Sequence, residues 1–255
     1  MYRNIFDSHA HYESAKFNPG RDEVITALPG KGIKYLMNAG SDLTTSLQGI
    51  SLAEKYDFIC CSVGIHPHAA KDAPPGFTQE LARLAAEHPK VKAIGEAGLD
   101  YHYDFSPRDT QREVFEQQLI LAEKTGLPII VHSRKACQDT LELLKKYRPA
   151  GVVHCFGGSA ETARKIIDLG MYIGFTGVVT FKNARKTLEA VRAVPLERLL
   201  IETDCPYMAP EPKRGMRCDS SLLGYIAETI AREKGLEPQT LIDITTQNAE
   251  KLYGI

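Results

Sequence analysis

The chain has 255 residues, of which 43% are hydrophobic and 25% are charged, a composition typical of folded globular proteins. Lys and Arg number 31 against 32 Asp and Glu, so the formal net charge is −1. This balance excludes a polybasic protein that holds nucleic acid by bulk attraction to phosphate. Any contact with nucleic acid must therefore be local.

No apolar run approaches the ~18 residues that a membrane span needs, and the polar Asp7 and His9 come before a signal-peptide core could form. We therefore expect a cytoplasmic protein. Its six cysteines show no CxxC spacing, which predicts buried, reduced thiols rather than a disulfide framework. Cys155 and Cys205 lie beside candidate site residues, so a cysteine nucleophile is kept as a minor alternative.

Short β-rich segments alternate with stretches of helical periodicity along the whole chain. Such a helical pattern is formed, for example, by Cys137, Thr140, Leu141 and Leu144, spaced i, i+3, i+4 and i+7. The eight predicted strands cover residues 4–7, 35–38, 59–63, 93–96, 129–132, 152–154, 172–175 and 199–202.

Eight strands alternating with helices over this length predict an α/β fold, a parallel (β/α)8 TIM barrel. A doubly wound open sheet is the structural alternative. No linker, charge block or sequence repeat divides the chain. Residues 236–255 are predicted to form one additional C-terminal helix packed on the barrel, within a single domain that spans residues 1–255.

The first chemical signal is the pair His9 and His11 at the end of the first predicted strand. Side chains on a strand alternate with a period of two, so both imidazoles point to the same face. Two imidazoles on one face can grip a metal ion. Taken alone the pair is weak, because surface and core histidines are common.

Ionisable residues recur at the carboxyl ends of four further strands. Glu96, His132 and His154 end the fourth, fifth and sixth strands, and Asp204 follows the eighth. A barrel gathers all these ends around one mouth. Four imidazoles and two carboxylates are too many ionisable groups to bury together without a cation, so the pattern predicts a metal site.

Six ligands exceed one tetrahedral shell and suit two neighbouring ions that share a carboxylate. The first ion would take His9, His11 and Asp204, and the second would take His132 and His154. Glu96 would bridge them. Nitrogen and oxygen ligands without thiolate suit Zn²⁺, Mn²⁺, Co²⁺ or Mg²⁺, and the sequence does not choose among these ions.

Six short motifs, in order along almost the entire chain, resemble the TatD family of metal-dependent deoxyribonucleases. They are Asp-Ser-His-Ala-His (7–11), Gly-Ile-His-Pro-His (64–68), Gly-Glu-Ala-Gly-Leu-Asp-Tyr (95–101), His-Ser-Arg (132–134), His-Cys-Phe (154–156) and Glu-Thr-Asp-Cys-Pro-Tyr (202–207). The resemblance implies a TIM-barrel hydrolase of the amidohydrolase superfamily and the same six metal ligands. It also implies cleavage of phosphodiester bonds in DNA, commonly exonucleolytic, with Mg²⁺, Mn²⁺ or Zn²⁺.

One stretch departs from the family pattern. Family members usually carry Arg-x-Asn-Glu-Pro after the Asp-x-Pro-Tyr motif. Here the corresponding stretch runs from Arg217 to Ser221, and it retains the arginine but lacks Asn-Glu-Pro. This loop follows the eighth strand and is expected to border the mouth. The change puts substrate preference in doubt more than metal binding.

The expected mechanism is a two-metal hydrolysis in which Glu96 bridges the ions and Asp204 orients the attacking water or accepts its proton. DNA is the expected partner, as single strands or chain ends, with His66, Arg134 and Arg217 as candidate substrate contacts. No protein partner is inferred. Aromatic residues after the strands could stack bases, namely Tyr101, Tyr103, Phe156, Phe181 and Tyr207.

Two alternatives remain open from the sequence. One is hydrolysis of a different bond, such as a carboxylic ester, amide, lactone or D-aminoacyl-tRNA ester, because one barrel supports many chemistries. The other is a non-catalytic metal-binding barrel, against which the complete ligand set argues.

Overall fold

The computed structural model describes residues 2–255 and contains eight parallel strands, each hydrogen-bonded to the next along the chain. Neighbouring parallel strands need crossover connections, and a helix follows every strand. This order confirms the predicted TIM barrel and excludes a doubly wound sheet, in which the strand order would reverse. The strands are β1 Ile5–Ala10, β2 Ile33–Asn38, β3 Ile59–Val63, β4 Val91–Asp100, β5 Ile129–Arg134, β6 Gly151–Val153, β7 Tyr172–Phe175 and β8 Leu199–Ile201.

The largest error in the predicted strand bounds concerns β4, which continues four residues past Glu96 to Asp100. Gly95 and Gly98 break the apolar pattern there, so the sequence signal ends before the strand does. β1 similarly reaches Ala10, which places His9 on the strand itself and His11 just after it. β8 ends one residue before Glu202.

Within residues 2–255, one helix follows each of the eight strands, and a ninth helix comes last. The helices are α1 Arg21–Ala27, α2 Leu43–Lys55, α3 Phe77–Glu87, α4 Arg108–Thr125, α5 Cys137–Tyr147, α6 Ala160–Asp168, α7 Arg185–Ala193, α8 Leu223–Lys234 and α9 Pro238–Tyr253. Short 3-10 turns lie in several loops, including Ala15–Phe17 after β1 and Pro67–Asp72 after β3. No helix in residues 2–255 is both long and apolar enough to cross a membrane.

The barrel interior is filled by one buried side chain from each strand. These residues form a cluster separate from the larger core between strands and helices: Phe6, Met37, Cys60, Ala93, Ile130, Val152, Tyr172 and Leu200. Ala249 and Tyr253 of α9 complete the same cluster. The additional C-terminal helix therefore packs on the barrel as predicted, and it closes the end opposite the strands' carboxyl ends.

The seam of the barrel, between β8 and β1, has less backbone pairing than the other strand pairs. Within the described residues the strand pairing across this seam is a single isolated bridge, Ala10 to Cys205. Side chains supplement it, because the Asp7 carboxylate accepts hydrogen bonds from the backbone and hydroxyl of Thr203, at 2.9 and 2.6 Å. The Ser220 hydroxyl donates a third bond to Asp7, at 2.6 Å.

Candidate metal centre

The six predicted metal ligands meet at the carboxyl ends of the strands. His9 and Glu96 are buried on β1 and β4, and His132 is partly exposed on β5. The others, His11, His154 and Asp204, come directly after β1 and β6 and three residues after β8. Their proximity follows from the barrel, which brings strand ends that are distant in sequence to one mouth.

The Glu96 carboxylate lies between two groups of imidazoles. Its Oε2 is 3.4 Å from Nε2 of His9 and 3.5 Å from Nε2 of His11. Its Oε1 is 2.9 Å from Nδ1 of His132 and 2.7 Å from Nε2 of His154. Each oxygen therefore faces a different pair of histidines, which is the arrangement expected of a carboxylate that bridges two cations.

Asp204 lies next to His9 and His11. Its Oδ1 is 3.5 Å from Nε2 of His11 and 3.8 Å from Nε2 of His9. The Asp204 backbone has a φ of 57°, a left-handed conformation that costs about 1–2 kcal/mol in a residue with a side chain. Its N–H donates to the His9 carbonyl at 2.9 Å, which helps to hold this strained backbone against β1.

Buried groups on the far side of the His11 and His132 rings fix the orientations of these two histidines. Nδ1 of His11 is 3.0 Å from the Ala39 carbonyl oxygen, and Nε2 of His132 is 3.1 Å from Oδ2 of Asp100. Nδ1 of His9 and Nδ1 of His154 have no hydrogen-bond partner among residues 2–255, although Glu202 Oε1 is 3.7 Å from the latter. Outer partners of this kind set which ring nitrogen is available to a metal.

Burial and the neighbouring charges shift the pKa values of the residues in this cluster. Burial alone would raise the pKa of Glu96, but His154, His66 and His11 hold it well below its ordinary value. Burial alone would lower the pKa of His132, but hydrogen bonds with Asp100 and Glu96 raise it to about 9. Burial, together with the nearby His154, lowers the pKa of His9 to about 4.

The donor set fits divalent cations. Ligand atoms of His9, His11 and Glu96 lie within 4.8 Å of one another, and so do those of His66, Glu96 and His132. The donors are imidazole nitrogens and carboxylate oxygens with no thiolate, which suits Zn²⁺, Mn²⁺, Co²⁺ or Mg²⁺. The ligand role of the individual residues stays a prediction.

The site opens into a cavity of about 1100 Å³ that contains two of the three candidate substrate contacts, His66 and Arg134. Nε2 of His66 is 3.4 Å from Oε1 of Glu96, so this ring is nearer to the centre than the sequence indicated. Arg217 does not line the cavity. Its guanidinium donates to the Lys16 carbonyl at 3.2 Å and lies 4.9 Å from the centre of the Phe17 ring.

The aromatic candidates divide in the same way. Tyr103, Phe156 and Tyr207 line the cavity, whereas Tyr101 and Phe181 do not. Tyr101 and Phe181 each contact an arginine instead. The guanidinium carbon of Arg108 lies 4.5 Å from the Tyr101 ring centre, and that of Arg214 lies 4.3 Å from the Phe181 ring centre.

Sequence reasoning missed several residues at the mouth. Asp100 is buried and its Oδ2 lies between Nε2 of His132, at 3.1 Å, and Nε2 of His68, at 3.0 Å. Its position four residues after Glu96 on one extended strand was an available signal, since alternate residues share a face. Lys135 and Lys186 line the cavity as well, and the former directly follows β5.

The loop that departs from the family pattern packs behind the site. Cys218 and Ser220 are fully buried, and the Ser220 hydroxyl donates to Asp7. The Tyr12 hydroxyl lies 2.9 Å from the Ser220 hydroxyl and accepts the Ser220 backbone N–H at 2.9 Å. The Asp219 carboxylate accepts the backbone N–H of Ser221 at the start of a 3-10 turn. No residue from Arg217 to Ser221 lines the cavity.

The cysteine alternative gains no support from the site. Burial raises the pKa of the Cys155 and Cys205 thiols far above neutrality, so the nucleophilic thiolate is suppressed. All six cysteines are unpaired, as expected of reduced thiols, but the prediction that they are buried is wrong for Cys137, which is exposed.

The barrel and its cluster of imidazoles and carboxylates define a metal-dependent hydrolase. The model of the TatD related DNase family matches residues 6–254, and the chain belongs to this family. A Bacillus subtilis protein named uncharacterized metal-dependent hydrolase YabD is 42% identical over 254 residues, which cover 98% of this chain and 99% of the relative.

Two further comparisons extend along the whole chain. The Salmonella typhimurium protein named 3'-5' ssDNA/RNA exonuclease TatD is 34% identical, over 98% of this chain and 99% of the relative. The crystal structure of the Escherichia coli TatD homologue YJJV superposes with a TM-score of 0.93 at 25% identity, and the match covers 100% of both chains.

Proposed function

We propose that the protein is a deoxyribonuclease that hydrolyses phosphodiester bonds at a binuclear metal centre. The observation that carries this proposal is the Glu96 carboxylate, whose two oxygens face two separate pairs of imidazoles. His9, His11 and Asp204 would hold one divalent ion, His132 and His154 the other, and Glu96 both. When bound, the ions would acidify water and neutralise charge on the phosphoryl oxygens.

The protein's own groups have distinct roles in this proposal. Asp204 is partly exposed at the cavity, so its carboxylate can orient the attacking water and accept a proton from it. His66 and Arg134 would bind phosphate oxygens of the substrate. Arg217 would take part only where the strand extends beyond the cavity to the segment Ala15–Phe17.

Nucleic acid is the proposed substrate for two reasons. The TatD relative of Salmonella is named for exonuclease action on single-stranded DNA and RNA. In addition, the residues that depart from the family pattern are packed away from the cavity, so they provide no ground for a different substrate.

The decisive test is cleavage of a matched pair of oligodeoxynucleotides, labelled at the 5′ or the 3′ end, with Mn²⁺, Mg²⁺, Zn²⁺ or Co²⁺ added in turn. Progressive shortening from one end is expected, and the label that is lost first gives the polarity. An oligoribonucleotide of the same sequence measures the preference for deoxyribose over ribose. If both DNA strands stay intact with every ion while an ester or lactone panel is hydrolysed, the nuclease proposal fails.

Two further assignments belong with this proposal. We infer that residues 1–255 act as a single hydrolase domain, because the sheet and the terminal helix share one interior cluster. The cytoplasmic location stays a prediction from the sequence.

A further inference from the structure

Two exposed aromatic rings stack on each other in the loop after β4. Tyr103 and Phe105 are 47% and 56% exposed, their ring centres are 5.2 Å apart, and their planes differ by 17°. We name this pair the aromatic platform. Large apolar side chains exposed next to each other mark binding surfaces more often than they serve stability.

The platform is continuous with the metal centre. The His68 ring meets the Phe105 ring edge to face at 4.8 Å, and its Nε2 is 3.0 Å from Oδ2 of Asp100. The same Asp100 oxygen is 3.1 Å from Nε2 of His132. Tyr103 and His68 both line the cavity, and Phe105 lies just outside the lining in contact with both of their rings.

Positive charge lies at the same rim. The Arg134 guanidinium carbon is 4.7 Å from the Tyr103 ring centre, and Lys135 follows it on the exposed loop after β5. Across residues 2–255 neither side chain forms a salt bridge with a carboxylate. Unpaired cations next to exposed aromatic faces match a ligand that alternates phosphates with flat rings.

We propose that the aromatic platform stacks an unpaired nucleobase next to the scissile phosphate, while Arg134 and Lys135 bind the adjoining backbone. The inference rests on the proposed nuclease function and names the side chains that would hold a base of the substrate. A base in the interior of a duplex has both faces covered by its neighbours, so it cannot stack on Phe105 without leaving the helix.

Binding of phosphorothioate strands, which resist cleavage, tests the platform with the metal-loaded protein. Fluorescence anisotropy would compare a labelled single strand with a strand of the same length that carries abasic sites. Phe105→Leu should raise Kd for the base-bearing strand at least about fivefold and leave Kd for the abasic strand unchanged. Phe105→Tyr keeps a ring and should bind both strands like the parent protein.

The outcomes separate this inference from the proposed function. If Phe105→Leu binds the base-bearing strand as tightly as the parent, or weakens both strands equally, the platform is refuted. Cleavage of ordinary oligonucleotides by the parent would still support the nuclease function in that case. If the parent cleaves no nucleic acid but the Kd difference is found, the platform stands and the catalytic proposal fails. Because Phe105 is exposed, the substitution leaves the core intact.

Discussion

At the scale of single residues, the site depends on a few charged groups that are buried and mutually compensated. The pKa of Glu96 is held well below its ordinary value despite burial, because histidines surround both oxygens. Replacing one partner leaves the others buried without compensation, which usually costs more than the lost contact itself. Substitutions here therefore affect the whole cluster.

Glu96→Gln preserves the shape of the side chain and removes its charge. We expect the protein to stay folded, to retain fewer divalent ions than the parent, and to lose at least about 100-fold in turnover, because neither ion keeps its shared carboxylate. Metal analysis after desalting and oligonucleotide cleavage measure both effects. Glu161→Gln, on the exposed face of α6, is the matched control. Two retained ions with near-normal turnover would exclude the bridging role.

Asp100→Asn tests the support of His132. Because Asp100 Oδ2 lies 3.1 Å from Nε2 of His132, the amide should weaken the orientation of that ring and lower metal affinity about 10- to 100-fold. A competition titration with a metal-binding dye measures the affinity. His68→Gln removes the other contact of Asp100 and should change metal affinity much less, so equal losses would contradict the proposed support.

At the scale of elements, β4 is the strand on which the site depends most. It carries Glu96 and Asp100 on one face, and Gly98 between them allows β5 to approach closely. A Cβ on Gly98 would lie 2.0 Å from the His132 carbonyl oxygen, and its φ of +144° is one that residues with side chains rarely adopt. The strand can present two carboxylates to one site because that position has no side chain.

Gly98→Ala should therefore separate β4 from β5. We expect a loss of about 3 kcal/mol or more in the free energy of unfolding, with weakened metal binding, because both strain and a backbone clash oppose the native strand. Gly126→Ala is the control, since its φ is also positive, at +69°, but open space surrounds it. The control should cost about 1–2 kcal/mol. Urea unfolding measures both, and equal losses would show that the close approach is unimportant.

The elements also show what the sequence could predict and what it could not. The predicted ligands His132 and His154 lie at the carboxyl ends of apolar strands, and a barrel brings such positions together whatever their side-chain conformations. Asp100 was missed because Gly95 and Gly98 interrupt the apolar signal of β4. Arg134 and Arg217 looked equivalent by their positions after strands, yet only Arg134 lines the cavity. The direction of a long side chain depends on its neighbours, in the case of Arg217 on Phe17.

At the scale of the whole molecule, α9 closes the barrel opposite the metal centre. Tyr253 is buried among the inward side chains, its ring lies 5.8 Å from that of Phe6, and its hydroxyl donates to the Ser8 carbonyl at 3.2 Å. The terminal helix thus contacts the residue that precedes His9. The same tyrosine therefore fills the end of the barrel and supports the strand that carries His9.

Truncation of Tyr253 should therefore destabilise the entire barrel. Tyr253→Ala leaves a cavity and is expected to lower the free energy of unfolding by about 3–5 kcal/mol. Tyr253→Phe removes only the hydrogen bond to Ser8 and should cost about 1 kcal/mol. Chemical denaturation separates the two effects. A loss of less than about 1 kcal/mol for the alanine variant would mean that α9 is not needed to fill the barrel.

The seam between β8 and β1 would give a bound metal ion a mechanical role. His9 and His11 lie on one side of the seam and Asp204 on the other, and the backbone of residues 2–255 provides a single β-bridge across it. An ion held by all three would act as a cross-link that fastens the first strand to the last. Chelation should then speed amide hydrogen exchange in residues 5–12 and 199–207 more than in β4 and β5, and restored metal should reverse it. If chelation changes the exchange rates equally in all the strands, the ion does not fasten the seam.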